Sequence, residues 1–153
     1  MNKKIIKYGI VIICLGGLIG MGALSYMLFK PKRNIANIKP EYAISASQLL
    51  TEFTKDEPAA NAKYLSTAYG KVIQVSGILA EKTEVGDTTL TLSLRETTDM
   101  KEGGIHCSME KIEIPKGRLL KVGDSISVKG ECTGYIDITN EVLMVKCLVV
   151  RNH

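Results

Sequence analysis

Side chains able to do chemistry are sparse in the second half of this chain. Three thiols, Cys107, Cys132 and Cys147, and one imidazole, His106, stand out; His153 ends the chain and Cys14 lies near its start. Three cysteines could ligate zinc, but such a site needs a fourth ligand and deprotonated sulfur. His106 has the opposite strand parity from Cys107, and no Cys-x-x-Cys occurs, so no metal or redox site is expected. A hairpin about Thr139-Asn140 would set Cys132 opposite Cys147, with Cβ atoms about 4.5–5.5 Å apart. That spacing admits a disulfide; the competing reading makes all three cysteines small buried side chains. Neither histidine stands at a signature spacing from a nucleophile. Asp56-Glu57 supports a helix start, and Glu110 and Glu113 fall in a solvated connection. No glycine-rich phosphate loop is present: Gly16-Gly17 lie in an apolar run and Gly103-Gly104 precede a strand. No catalytic residue, cofactor or metal is therefore predicted.

The elements that hold these residues follow from hydrophobic periodicity. Ser45 and Gln48 resemble a capping box, and Leu49, Leu50 and Phe53 form a stripe at helical spacing. Pro58 suits the first turn of a second helical piece after Asp56. After Gly70 the period becomes two. Ile73, Val75, Gly77 and Leu79 share one face of a long strand. Leu90, Leu92 and Leu94 follow a turn at Gly86-Asp87. Ile105, Cys107 and Met109 mark a third strand, and Ile126, Val128, Gly130 and Cys132 a fourth. Leu143, Val145, Cys147 and Val149 are assigned to the inner face of a fifth. Five strands with one apolar face must hide it, and a small closed barrel does so while removing the edges. Gly77 and Gly130, inside strands, suit the bends of such a barrel. The predicted fold class is mainly β: a five-stranded OB-fold barrel preceded by a short helical segment and an N-terminal transmembrane helix.

The N-terminus reads as a membrane anchor. Ile10 to Phe29 carries no charge, about the 20 residues a helix needs to cross a bilayer. Gly16-x-x-x-Gly20 fits the small-xxx-small pattern of packed membrane helices, though a plain anchor accounts for it. The run is long for a cleaved signal peptide and lacks a small-x-small site after it. Ile13 before Cys14 does not suit lipid attachment. The predicted organisation is an anchor over 1–30, a linker over 31–44 and an OB domain over 45–153. Basic residues flank both ends of the span, and the amino terminus tips the orientation to N-inside. The OB domain would then be extracytoplasmic (periplasmic), on a single-pass membrane protein.

Charge bears on the partner. The whole chain has a formal net charge of +4, but Lys3, Lys4, Lys7, Lys30, Lys32 and Arg33 account for the excess. Residues 34–153 hold 14 basic and 16 acidic side chains, a net −2. Such a body has no general attraction for phosphate backbones.

Three stretches together resemble the tRNA_anti-like family of OB-fold proteins, small exported or membrane-anchored bacterial proteins without an established activity. They are Tyr69-Gly70-Lys71-Val72-Ile73-Gln74-Val75-Ser76-Gly77, Gly104-Ile105-His106-Cys107, and Gly123-Asp124 with Val128-Lys129-Gly130-Glu131-Cys132-Thr133-Gly134. A last strand with Cys147-Leu148-Val149-Val150 completes the likeness, which spans roughly residues 45–150. The resemblance implies the fold and leaves the ligand open. OB barrels that hold single strands combine a basic groove with stacking aromatics. Here Tyr135 is the one aromatic residue from Val72 onward. Lys111, Lys116, Arg118 and Lys121 form a local basic cluster in a connection. The plan also resembles membrane-anchored haem chaperones, but their His-x-x-x-Tyr motif is missing, Glu110 standing four residues after His106.

The expected function is a membrane-anchored OB-fold binding module without catalytic activity. Its ligand would be a protein, glycan or small molecule. Outward polar positions nominate His106, Ser108, Lys129, Glu131 and Tyr135 as ligand-binding residues. The alternatives are a single-stranded nucleic-acid-binding domain and, further off, a metal, haem or thiol carrier.

Overall fold

The computed structural model describes residues 34–65, 70–99 and 102–150, all within one compact unit, 34–153. The predicted span 10–29 lies outside the described residues. Among the described residues, no helix is long and apolar enough to cross a membrane.

The chain enters through a 3-10 turn, Ile35–Asn37, and a short strand β1, Tyr42–Ser45. Helices α1, Ala46–Lys55, and α2, Glu57–Tyr64, follow. Then come β2, Val72–Val85; β3, Thr89–Arg95; and β4, Gly104–Met109. A 3-10 turn, Lys111–Glu113, leads to α3, Ile114–Leu119. Strands β5, Ser125–Ile136, and β6, Glu141–Val150, complete the chain.

The two N-terminal helices start where their caps dictate. Ser45 Oγ accepts from Gln48 N at 3.2 Å, and Asp56 Oδ1 accepts from Ala59 N at 3.0 Å, each satisfying an otherwise orphaned donor. Leu49 and Phe53 then fall on one face of α1 and are fully buried, as their spacing predicts.

Five strands close a barrel. The strand β2 pairs antiparallel with β5 through Val72–Ile78 and with β3 through Ile78–Val85. Beyond β3, β4 is antiparallel to it and parallel to β6, and β6 returns antiparallel to β5. Counting barrel strands alone, the order is 1-2-3-5-4 and back to 1, the Greek-key arrangement of the OB-fold. Inside lie Ile73, Val75, Leu92, Leu94, Ile105 and Val128, all fully buried. One long strand serves two neighbours, β5 up to Ile78 and β3 from Ile78 onward, next to Gly77. A Cβ there would sit 3.0 Å from Ala46 Cβ and 3.1 Å from Arg95 O, so the missing side chain lets α1 and β3 approach.

Three expectations need correction. First, residues 34–44, the described part of the predicted linker, pack on the barrel: Ile35 is buried, and β1 pairs parallel with Ile73–Ser76 of β2. This sixth strand occupies the β2 edge that β3 leaves when it ends at Arg95 opposite Ile78. Second, the inner face of β6 changes partway along. Val142, Met144 and Cys147 are buried, while Leu143 and Val145 stand outside and only half-exposed. Lys146 adopts a positive φ of 54°, inserting a bulge that resets the alternation. Third, Cys132 faces Met144 rather than Cys147, because β5–β6 shifts register between Lys129 and Glu131 and again between Cys132 and Gly134. The geometric basis for a Cys132–Cys147 disulfide is therefore absent, and Cys107, Cys132 and Cys147 are buried free thiols.

Both barrel ends are plugged. At the Leu94 end, rings stack in series: Tyr42 edge-on to Tyr64 at 5.3 Å, Tyr64 on Phe53 at 5.9 Å, Phe53 on Tyr135 at 5.3 Å. At the Leu90 end sits α3, with Ile114 buried and Gly117 so close that a Cβ would lie 2.6 Å from Leu90 Cδ2.

Candidate binding surface

In OB barrels that take oligomeric ligands, the second and third barrel strands and the two loops beside them form the binding face. Here that face is β3 and β4, flanked by the β2–β3 turn and the β5–β6 turn. His106 points outward at its centre, opposite Ser93 of β3 and Leu143 of β6. Ser93 Oγ lies 3.5 Å from His106 Nδ1. On the other side, Nε2 is 3.1 Å from Glu141 Oε1 but makes no hydrogen bond. Ser108 lies two residues along β4 on the same face, opposite Thr91.

Ser93, His106 and Glu141 follow one another in the order of a nucleophilic triad, and sequence spacing did not reveal them. The geometry does not suit attack. The Ser93 residue is 2% exposed, no described cavity includes it, and the contact at 3.5 Å is long for proton transfer. The cluster works better as a fixed hydrogen-bonding patch.

The other positional candidates are engaged inside the fold. Lys129 Nζ donates to Ala36 O at 2.9 Å and Ile38 O at 3.2 Å, fastening the leading turn to β5. Glu131 is buried and receives Lys146 Nζ at 2.9 Å. Tyr135 stacks on Phe53, and its hydroxyl donates to Asn140 Oδ1 at 2.8 Å. Of the five nominated residues, the structure keeps His106 and Ser108 together on the open face.

Five other cations show the same economy. Arg95 Nε donates to Gly103 O, and Lys82 Nζ donates to Arg118 O and Leu120 O. Arg118 pairs with Glu84 and Asp87, and Lys116 with Glu113. Lys63 bonds Glu52 at 2.7 Å beneath the Tyr64 hydroxyl. That lysine bond holds the Glu52 carboxyl below its ordinary range, against the opposing pull of desolvation. Both rims of the binding face carry acids, Glu84 and Asp87 on one side and Asp137 and Glu141 on the other.

Two small clefts adjoin the face at the foot of α1. One, about 100 Å³, is lined by Ser47, Leu50, Thr51, Leu94, Arg95 and Gly104. Its neighbour, about 230 Å³, runs past Ser45, Ser47, Ser76, Gly77 and Ser125 and shares Arg95 and Glu96. Their residues come from separate strands and a helix, so only the fold gathers them. Both are below the roughly 300–1,000 Å³ of small-molecule pockets. Among the described residues, no group of three or more His, Cys, Asp or Glu is arranged to hold a metal ion.

Among proteins of curated function, none matches the sequence. Solved structures do. A lipoprotein of Klebsiella pneumoniae subsp. pneumoniae, whose name gives nucleic-acid binding only provisionally, superposes with a TM-score of 0.54 at 16% identity, over 71% of this chain and 91% of its own. An OBody bound to hen egg-white lysozyme gives 0.40 at 14% identity, over 61% and 93%. The asparaginyl-tRNA synthetase of Entamoeba histolytica gives 0.40 at 18% identity, over 54% of this chain and 21% of its own. At these identities the likeness is one of fold. The sequence profile of the tRNA_anti-like family matches residues 1–148, and with the barrel now described, the chain belongs to the tRNA_anti-like family.

Proposed function

We propose that this chain is a membrane-anchored, non-catalytic binding module whose β3–β4 face receives an extended segment of a partner protein. One observation carries the reading: seven of the barrel's cations and four of its aromatic rings already have internal partners. Lys63, Lys82, Arg95, Lys116, Arg118, Lys129 and Lys146 each bond within the chain. Tyr42, Phe53, Tyr64 and Tyr135 stack on one another. Single-strand binding needs both kinds of group free, for phosphate neutralisation and base stacking. What the face offers instead is hydroxyls, one imidazole and half-exposed Leu143 and Val145, a surface suited to polypeptide. The small clefts favour a broad contact over an enclosed metabolite or sugar.

The name of the Klebsiella lipoprotein suggests single-stranded nucleic acid as the competing ligand. A photo-crosslinking residue at Ser108, in membranes, separates the two. The expected result is a discrete protein adduct and no retention of single-stranded DNA or RNA by the purified chain at low salt. Retention that falls steeply with salt, with no protein adduct, would establish the competing ligand.

A further inference from the structure

Ile112, Leu119 and Val122 are 79%, 82% and 56% exposed, and all three lie in or beside α3 at one end of the barrel. Leu119 and Leu120 share an open groove of about 540 Å³ with Lys116 and Val149. Uncovered apolar side chains gathered in one place mark a contact surface. Lysines are interleaved with them: Lys111 and Lys121, beside a Lys116 that is paired with Glu113. Three nearby acids are already engaged, Glu113 by Lys116 and Glu84 and Asp87 by Arg118. Apolar tips interspersed with lysines suit the boundary between lipid headgroups and acyl chains, where the lysine stems lie along the apolar layer and the ammonium groups meet phosphate.

We propose that this end of the barrel rests on the surface of an anionic bilayer, with Ile112, Leu119 and Val122 inserted at the headgroup boundary. The proposal rests on the anchor reading of residues 10–29. With that span in lipid, only Lys30 to Arg33 precede Asn34, and four residues reach about 14 Å at most. The chain joins the barrel where Lys129 holds Ala36 O and Ile38 O. Val128, next to Lys129, pairs with Val149, and Val149 lines the groove. The short tether therefore meets the body beside the apolar end.

The chain contains no tryptophan, so Leu119→Trp supplies a single reporter. Ile138→Trp, at a 96% exposed position in the β5–β6 turn, reports on the opposite end. Each full-length variant is reconstituted into phosphatidylethanolamine–phosphatidylglycerol vesicles with brominated acyl chains. Leu119→Trp should emit further to the blue and be quenched about twofold or more, with Ile138→Trp little affected. Adding Lys111→Glu and Lys121→Glu should weaken the quenching. A chain that floats with the vesicles yet leaves Leu119→Trp unquenched overturns the docking and spares the anchor. A chain that fails to float overturns the anchor and the docking with it. A blue shift that disappears as protein is diluted in lipid identifies a second copy as the occupant and overturns the proposal.

Discussion

Burial pushes the Cys132 thiol up to about 12 from an ordinary 9.0. Burial, and secondarily a hydrogen bond with Cys107, raises Cys147 as well. Thiolates are the reactive form, so in a Cys14→Ser chain the three barrel cysteines should resist iodoacetamide at pH 8 until denaturant is added; rapid native labelling would contradict their placement. The same shift links stability to pH. An unfolded chain releases the Cys132 proton near 9.0 and the folded one only near 12. That contribution is complete below pH 9 and declines as pH climbs toward 12. Cys132→Ala should flatten this alkaline limb in melts taken across that range. A second residue-scale test concerns Glu131, which is 3% exposed and bonded to Lys146. Lys146→Met leaves the buried carboxylate with one partner fewer and should cost about 1–3 kcal/mol in a urea melt. Lys146→Gly loses the same bond but suits the positive φ, so its loss should be smaller.

Strands depend on residues that permit close approach. A Cβ at Gly130 would lie 2.6 Å from Cys147 Sγ and 3.0 Å from Val145 O. Gly130→Ala should therefore destabilise by about 1–3 kcal/mol, seen as a lower thermal midpoint. For the helices, Ser45→Ala removes the α1 cap and should cost about 1 kcal/mol. These two elements also show what the sequence makes legible. Leu49 and Phe53 at helical spacing, and Leu90, Leu92 and Leu94 at a period of two, are strong local signals, and both ended buried. The β6 parity was hidden because it turns on one backbone angle at Lys146, which residue type does not announce. The strand β1 was hidden because four residues carry too short a period, and its pairing with Ile73–Ser76 is non-local. Strand parity sets Lys129 and Glu131 apart from Val128, Gly130 and Cys132, yet Glu131 is itself buried. Parity could not foresee that a turn at Ala36–Ile38 and the bulged Lys146 would take them up.

For the molecule as a whole, compartment decides which partners can reach the β3–β4 face. Ile138 is 96% exposed at a turn, so Ile138→Cys in a Cys14→Ser background should be labelled by a membrane-impermeant maleimide in intact cells; labelling only after lysis would place the barrel in the cytoplasm. Net charge works in the same direction as the local pairing. The −2 of residues 34–153 gives long, salt-sensitive attraction to polyanions little to act on. The β1 strand carries a mechanical consequence. A pull arriving through Arg33 would load the two Lys129 clamps and then the Tyr42–Ser45 ladder before any strand of the closed cylinder felt it. The leading segment thus behaves as a strain relief, able to peel away under tension while the rest of the body stays intact.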